Sequence, residues 1–327
     1  MADSSMISVA FYNLENLFDT VDDPHILDDD FTAEGTLQWT KERYENKLFK
    51  LSRAISQIGM ETIDRPPSIV GVAEVENKKV LADLVSYNGL KELNYSFVHH
   101  NSPDERGIDT GLLYRKEDFE PLESATVTVM VYNPEDERDF TRDILYVRGN
   151  LFGEMVHIYV NHWPSRRDGD QKTDYKRITA AKTLIKHLKG VKEAYPQGKF
   201  IIMGDFNDNP NSESVKDHLI VDGLFNPMTP MLIPTKQGSV TYKGRWNLFD
   251  QIIISTNFFA TQEEGLKFDR AEILSERFLE DWNERFEGFP FRTYAGRKYI
   301  GGYSDHFPVY IVLKNSRSKT SGKKTVI

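Results

Sequence analysis

Residues 200–210 read FIIMGDFNDNP, and in this stretch polar side chains follow directly on an apolar run. The segment 200–203 has the pattern of a buried strand, which ends at Gly204. Two acids and two amides then fall within five positions, at Asp205, Asn207, Asp208 and Asn209. These residue types form ordinary solvated turns, and their oxygens also suit a hard cation or a phosphate. The stretch alone leaves both interpretations open.

The composition is that of a globular protein with an acidic balance. The chain has 327 residues, 39% hydrophobic and 28% charged, enough for one large domain or two ordinary ones. Its 41 basic and 50 acidic side chains give a formal net charge of -9, so no global basic field attracts nucleic acid. A phosphate-bearing substrate would therefore depend on a local basic rim or on bound metal. The absence of cysteine excludes disulfides, thiolate metal sites and cysteine nucleophiles.

The chain shows no targeting or membrane signal. The N-terminal residues MADSSMISVAFYNLENLF lack a basic segment followed by a long apolar one, so no secretory leader is predicted. No apolar run has the length that a membrane span needs. We therefore expect a cytoplasmic protein for the chain as it stands, with a removed leader as the alternative, and we expect a monomer.

Strand and helix patterns alternate along the chain. Apolar, β-rich runs occur at 7–12, 68–73, 95–99, 111–114, 126–131, 144–151, 155–160, 200–203, 251–255 and 309–313. Apolar residues recur with helical spacing at 39–58 and 174–189. This alternation indicates a layered α/β domain. We find no repeat and no linker that divides the chain, so we predict one domain over 1–313 and a polar, basic, disordered tail over 314–327.

Polar groups cluster where the predicted strands meet their loops. Each has an ordinary explanation when taken alone, such as a solvated strand end or a turn. Six strand boundaries with such groups are less readily explained as six unrelated turns than as one site, because active sites of α/β proteins are assembled from strand ends. Oxygen-rich groups without cysteine suit Mg²⁺ or Mn²⁺, and histidines can transfer protons or neutralise phosphate. The boundary residues are Asn13 and Glu15, Glu74, Asn161 and His162, Asp205 and Asn207, Asp250, and Asp305 and His306.

The ordered motifs resemble the endonuclease/exonuclease/phosphatase superfamily, which has the DNase I-like fold. The matching segments are FYNLENLF, GVAEVEN, GIDTGLLYR, VNHWPSR, MGDFNDNP, FDQIII and SDHFPV, which span residues 7–313 in the family's order. The resemblance implies a four-layered α/β sandwich, in which two mixed β-sheets pack face to face between helices. It also implies an active site at one end of the sandwich and a Mg²⁺ or Mn²⁺ cofactor.

The resemblance also implies a role for each motif residue. Asn13 would orient metal ligands and phosphate, Glu74 would be the principal metal ligand, and Asp305 would lie on the metal or water side. Asp205 and Asn207 would position the attacking water. His306 would be the catalytic histidine, held by Asp250.

Three further residues are similar to particular branches of the superfamily. His162 matches the second histidine of the branch that contains DNase I and the bacterial sphingomyelinases. Asp109 lies where that branch places the carboxylate partner of this histidine, and Glu15 resembles a second metal-binding acid of AP endonucleases. Substrate contacts are predicted for Arg106, Asp109, Asn161 and Arg166. A basic rim of Arg106, Arg166, Arg167, Lys243 and Arg245 is one interpretation, and scattered solvated charges are the other.

Together these features predict a metal-dependent phosphoesterase whose partner is nucleic acid, in the manner of an endonuclease. A phosphomonoesterase and a sphingomyelinase-like phospholipid phosphodiesterase are the alternatives on the same fold. A catalytically silent binding module would be expected to lack site residues, and a dinucleotide-binding dehydrogenase would need a glycine-rich motif after the first strand. One fold hosts many activities, so the substrate itself is not fixed by the fold.

Overall fold

Two six-stranded mixed sheets form the centre of the molecule. The computed structural model describes residues 6–166, 169–221, 223–233, 236–242, 244–260 and 264–316. Strands are numbered in chain order. In spatial order the first sheet contains β15 (Leu266–Ile273), β18 (Val309–Asn315), β1 (Met6–Leu17), β2 (Ile69–Val75), β4 (Asp109–Arg115) and β3 (Tyr95–His99). The second contains β11 (Leu224–Phe225), β14 (Asp250–Ser255), β10 (Lys199–Asp205), β9 (Glu154–His162), β8 (Ile144–Leu151) and β5 (Phe119–Val127).

Three short hairpins and several single turns of helix lie around the sheets. The hairpins pair β6 (Val131–Tyr132) with β7 (Arg138–Asp139), β12 (Val240–Tyr242) with β13 (Arg245–Asn247), and β16 (Tyr294–Ala295) with β17 (Lys298–Tyr299). The turns are 3₁₀ at Asp29–Phe31, Thr229–Met231, Thr256–Phe259 and Arg277–Leu279, and π-helical at Ser214–Leu219.

Helices cover both outer faces of the sheet pair. They are α1 (Lys41–Gln57), α2 (Met60–Ile63), α3 (Lys78–Ser86) and α4 (Asp170–Ala194). The side chain of Thr40 accepts a hydrogen bond from Arg43 N and so caps α1, and Asn77 caps α3 in the same way. Within the described residues, no helix combines the length and apolarity that crossing a membrane requires.

Strict alternation along the strands creates three apolar layers. On β1, Val9 and Phe11 point between the sheets, where they meet Ile158 and Ile201 of the second sheet. Ala10 and Tyr12 point outward, into the layer that α1 covers with residues such as Leu51. A third layer joins α4 to the outer face of the second sheet, through residues that include Ala181, Leu184, Ile202 and Ile253. The order of layers is therefore helix, sheet, sheet, helix, as the sequence predicts.

The element bounds differ from the sequence prediction in several places, including β5, α4 and β18. The run predicted as one strand at 126–131 is divided, because β5 ends at Val127 and β6 begins at Val131. Helix α4 exceeds its predicted range at both ends, and β18 continues to Asn315. Of the predicted tail, residues 317–327 lie outside the described residues. The single-domain boundary stays a prediction.

Candidate active site

Strand register brings the polar strand ends of the second sheet to one level. β9 and β10 are parallel, with Asp205 opposite His162, and β14 runs antiparallel to β10, with Asp250 opposite Asp205. In the first sheet β1 and β2 are parallel, with Asn13 opposite Ala73, the residue before Glu74. Parallel strands end at the same edge of a sheet, so these groups gather at one end of the sandwich.

The Asn13 amide bridges the two sheets at this end. Its Nδ2 donates to Asp205 Oδ2 over 3.0 Å and lies 3.3 Å from Glu74 Oε1. Its Oδ1 accepts a hydrogen bond from the backbone N–H of Glu15 at 2.9 Å. Asn13 is fully buried, so these contacts fix its orientation. One amide therefore sets the separation of two carboxylates from different sheets.

Three of the predicted site residues have a left-handed backbone conformation, which sets the direction of their side chains. Glu15, Glu74 and Asn207 have φ angles of 51°, 60° and 50°. Such conformations cost non-glycine residues about 1–3 kcal/mol each and cluster at functional sites. At Asn207 the turn is held because its N–H donates to Asp205 Oδ1 at 2.9 Å and its Nδ2 donates to Trp163 O at 2.9 Å. The sharp turns direct side chains at the strand ends into the site.

His306 and Asp250 form a buried pair. His306 Nδ1 lies 2.7 Å from Asp250 Oδ2, while His306 Nε2 lies 3.9 Å from Asp205 Oδ2. Burial favours neutral imidazole, but the Asp250 carboxylate outweighs it and raises the pKa of His306 well above its ordinary value. Burial also raises the pKa of Asp205 to about 7, against the attraction of His306. At neutral pH an imidazolium therefore faces a carboxyl group that can exchange its proton.

His162 faces the same carboxylates from the second sheet. Its Nε2 lies 3.7 Å from Glu74 Oε1 and 3.8 Å from Asp205 Oδ2. Arg142 donates to the backbone carbonyl of His162 at 3.2 Å and so fixes this strand end. Both histidines therefore point their Nε2 atoms at Asp205 from different elements.

A cleft of about 470 Å³ opens beside this centre, lined in part by Glu15, Asn16, Arg106, Arg292 and Asp305. Arg292 spans its acids, with Nη2 at 2.7 Å from Asp305 Oδ2 and Nε at 4.0 Å from Glu15 Oε1. Arg106 donates to Asn16 Oδ1 at 2.7 Å. The cleft therefore carries both acidic and basic groups at the edge of the centre.

The carboxylate and amide groups gathered at this end of the sandwich offer oxygen atoms that suit a divalent cation as ligands. Burial, followed by repulsion from Asp305, raises the pKa of Glu15 to about 7, against the attraction of Lys47 and Arg292. Oxygen donors without sulfur suit hard cations. A second group, Asp205, Asp250 and His306, has ligand atoms within 4.8 Å of one another. Asp250 Oδ1 has no hydrogen-bond partner among the described residues.

Three predicted substrate residues have structural partners instead. Asp109 accepts hydrogen bonds from Ser102 and lies 2.9 Å from His99 Nε2, which corrects its predicted pairing with His162. Asn161 is fully buried and donates to Met203 O, so it offers no surface to a substrate.

Arg166 also makes hydrogen bonds within the protein, to the segment that follows β10. Its Nε donates to Asn207 O at 2.6 Å and its Nη2 pairs with Asp208. The guanidinium therefore braces the turn that carries Asn207. Of the predicted basic rim, Arg245 is exposed on β13, whereas Arg167 and Lys243 lie outside the described residues.

Sequence reasoning missed Lys47 and Arg292. Lys47 lies on α1, is fully buried and donates to Thr293 Oγ1 at 2.6 Å and to Tyr303 O at 2.7 Å, with Glu15 Oε2 at 3.7 Å. Arg292 follows an irregular aromatic segment that has no periodic pattern. No local signal marks Arg292, because its partners are distant in the chain. Lys47 does carry one, since it lies three residues after Tyr44 on the apolar stripe of α1.

Comparison with known proteins identifies what the chain is similar to. The profile of the Endonuclease/Exonuclease/phosphatase family matches residues 8–315. No curated protein matches the chain significantly.

Solved structures match over nearly the whole length. D. rerio TDP2 complexed with a single-strand DNA product is 16% identical, covering 95% of this chain and 100% of that one, with a TM-score of 0.57. The Bacteroides thetaiotaomicron mannosyl-6-phosphatase is 15% identical, with coverage of 94% and 99% and a TM-score of 0.57. The human Nocturnin catalytic domain, with bound sulfate, is 15% identical, with coverage of 95% and 94% and a TM-score of 0.57. These similarities confirm the predicted DNase I-like α/β sandwich.

Proposed function

Because the chain belongs to the endonuclease/exonuclease/phosphatase family, we propose that it is a divalent-metal-dependent phosphodiester hydrolase that acts on nucleic acid. One observation carries the proposal. The Asn13 amide joins Asp205 to Glu74, and the Nε2 atoms of His162 and His306 lie 3.8 and 3.9 Å from the same Asp205 oxygen. A carboxylate, an amide and two histidines in this arrangement suit attack of water on a phosphoester.

Glu74 would hold the cation, with Glu15 and Asp305 on the adjacent wall of the cleft and Asn13 orienting Glu74. We propose Mg²⁺ or Mn²⁺, because all of these groups offer oxygen. Lewis-acid stabilisation of the phosphoryl and leaving oxygens is the chemistry that such an ion supplies when bound.

Asp205 would orient the attacking water and accept its proton. Asn13 and the backbone N–H of Asn207 each donate to one of its oxygens, so the carboxylate is held in a single orientation. Its pKa of about 7 is near the operating pH, where general bases work best.

The two histidines would serve the phosphate. Asp250 holds His306 by Nδ1, which leaves the cationic Nε2–H to donate to a phosphoryl oxygen. His162 would neutralise phosphate charge or protonate the leaving oxygen.

Nucleic acid is the substrate class that we favour. The cleft places Arg106 and Arg292 beside the centre, where their guanidinium groups can contact phosphate oxygens, although Glu15, Asp30 and Asp305 line the same cleft. D. rerio TDP2, which shares the fold, holds a DNA product. The mannosyl-6-phosphatase has the same fold, so monoester hydrolysis is the competing outcome, followed by hydrolysis of a phospholipid.

A substrate panel tests the proposal. The protein is incubated with Mg²⁺ or Mn²⁺ and, in parallel, with plasmid DNA, a chromogenic phosphodiester, a phosphomonoester and sphingomyelin, each with an EDTA control. We expect cleavage of DNA and of the phosphodiester that EDTA abolishes. Preference for the monoester or for sphingomyelin would contradict the nuclease assignment, and inactivity towards all four would favour a binding module.

Two substitutions connect the activity to the site. Asp205→Ala and His306→Ala should each lower turnover by roughly 10²–10⁴-fold while the circular dichroism spectrum is retained. His100→Ala is the matched control, because His100 is exposed and its Nε2 hydrogen-bonds the Ser124 hydroxyl. Full turnover in the Asp205 or His306 variant would place the chemistry elsewhere.

A further inference from the structure

A second cavity lies next to the catalytic cleft. It measures about 670 Å³ and lies between the segment 281–300 and the β12–β13 hairpin. We call it the side cavity. We propose that the side cavity binds the nucleobase adjacent to the scissile phosphate, an inference that rests on the proposed function. Its walls include the rings of Phe286, Phe289, Phe291 and Tyr299, with Ile300 beside them.

The side cavity and the cleft share two walls. Arg292 and Asp305 line both spaces and are joined by the 2.7 Å bond between Nη2 and Oδ2. The Arg292 side chain is 46% exposed, so its guanidinium is accessible at this junction. A phosphoester held in the cleft therefore has one substituent beside the mouth of the side cavity.

Two walls of the side cavity, Phe289 and Tyr299, are held by contacts within the protein. Phe289 packs edge-on against Trp246 with ring centroids 5.4 Å apart. The Tyr299 hydroxyl accepts from Asn46 Nδ2 at 2.7 Å, and the Arg43 guanidinium lies 4.6 Å from the Tyr299 ring centroid. Preorganised walls favour binding because little freedom is lost on association.

The chemistry of the lining favours a base over an acyl chain. A base presents two flat faces for the rings and polar edges for hydrogen bonds, which Thr241 and Asn283 can accept or donate. Asp281 and Lys298 also border the cavity, and an acyl chain would remove water from both without offering a partner. Stacking of a base on aromatic side chains raises affinity by about 5- to 150-fold.

Equilibrium binding separates the base from the phosphate. The ligands are 2′-deoxyadenosine 5′-monophosphate and 2-deoxyribose 5-phosphate, in which a hydroxyl replaces the base, and hexadecyl phosphate serves as the lipid probe. The protein carries Asp205→Asn, so turnover does not consume the ligands, and calorimetry is performed with Mg²⁺. We expect the nucleotide to bind about 5- to 150-fold more tightly than the sugar phosphate.

Two variants test whether the preference for the nucleotide over the sugar phosphate arises in the side cavity. Ala295→Trp should fill the cavity from an exposed position, and Phe286→Ala removes one wall from a side chain that is 40% exposed. In both, the nucleotide-to-sugar affinity ratio should fall towards one. Ala194→Trp, on the exposed end of α4, is the matched control and should retain the parent ratio.

Equal affinity of the Asp205→Asn protein for the nucleotide and the sugar phosphate would overturn the inference. A ratio unchanged by Ala295→Trp, or tighter binding of hexadecyl phosphate than of the nucleotide, would do the same. These binding measurements do not depend on turnover, so a negative result in them is independent of the outcome of the substrate panel. A protein that cleaves DNA without base-dependent binding keeps the proposed function and loses the side-cavity assignment.

Discussion

The pairing of Asp250 with His306 controls a charge at the centre of the site. In the Asp250→Asn variant the 2.7 Å contact loses its carboxylate, and the pKa of His306 should fall towards its ordinary value. The cationic form is populated below that pKa, so the variant loses it as pH rises through the neutral range, whereas the native protein keeps it. We expect phosphodiester turnover at pH 8 to fall by roughly 10²–10⁴-fold.

The pH–rate profile distinguishes this mechanism from general damage to the site. Part of the lost turnover should return as pH is lowered in the Asp250→Asn variant, because His306 then becomes protonated without its partner. Asp217→Asn, on an exposed part of the π-helical turn, should retain the native profile. A uniform loss at every pH would argue that Asp250 acts only on the local structure.

Glu76 offers a test of buried charge outside the centre. Burial raises its pKa to about 7 from the usual 4.5, with Asp19 adding repulsion. The folded protein thus retains a proton that the unfolded chain releases at lower pH, so this group lowers stability as pH rises from about 4.5 to 7. After allowance for solvent screening, Glu76→Gln should raise the free energy of unfolding at pH 8 by about 1–2 kcal/mol.

Urea titrations at several pH values check the Glu76 prediction. The increase in the free energy of unfolding should vanish below about pH 4, where Glu76 of the unsubstituted protein is neutral in the folded and the unfolded state alike. Glu193→Gln, exposed on the last turn of α4, should show no such dependence. A gain of equal size at every pH would mean that the substitution acts through packing or hydrogen bonding and not through charge.

Single residues at strand ends were predictable, and residues that reach across the fold were not. Asp205 and Asp250 follow or begin apolar runs, so their position at a sheet edge can be read locally. Asn161 occupies the same kind of position, yet its amide is directed to Met203 O between parallel strands. Strand alternation specifies a face, whereas the hydrogen-bond partner depends on which strand lies alongside.

Among the elements, α1 connects the outer layer to the site through one buried lysine. Lys47 is 1% exposed, and its ammonium contacts Thr293, Tyr303 O and Glu15. Lys47→Met keeps the length of the side chain and removes the charge, which leaves these acceptors buried without their donor. We expect the free energy of unfolding to fall by about 3 kcal/mol.

Denaturant unfolding measures the effect of Lys47→Met, with Lys41→Met as the control on the first turn of the same helix. Lys41 is 84% exposed and pairs with Glu45 at the surface, so its loss should change stability by less than about 0.5 kcal/mol. If the two variants were equally stable, Lys47 would not anchor the 291–305 segment.

The apolar stripe predicted α1 but not what one charged residue within the stripe contacts. Lys47 lies three residues after Tyr44 and four before Leu51, so the helical period places it on the buried face, while its partners cannot be read from the helix alone. It is buried because the segment 293–303 covers that side of the helix. Similarly, the apolar run at 126–131 did not reveal its interruption, since the end of β5 is set by pairing with β8.

At the scale of the whole molecule, the close approach of the two sheets sets the geometry of the site. Gly71 on β2 faces Met203 on β10, and a Cβ at Gly71 would lie 2.4 Å from Met203 Sδ. No local pattern in the sequence reveals this contact, because β2 and β10 belong to different sheets. Gly71→Val should therefore overpack the core between the sheets and lower stability by about 1–3 kcal/mol, measured by urea unfolding.

The same substitution should impair turnover, because Gly71 lies three residues before Glu74 and Met203 two residues before Asp205. Forcing the sheets apart would stretch the 3.0 and 3.3 Å contacts through which Asn13 joins those carboxylates. Met203→Ala vacates the contested space, so the double variant should be more stable than the sum of the single effects implies, with part of the turnover restored. Strictly additive losses would show that Gly71 and Met203 do not compete, and that the spacing of the sheets is set elsewhere.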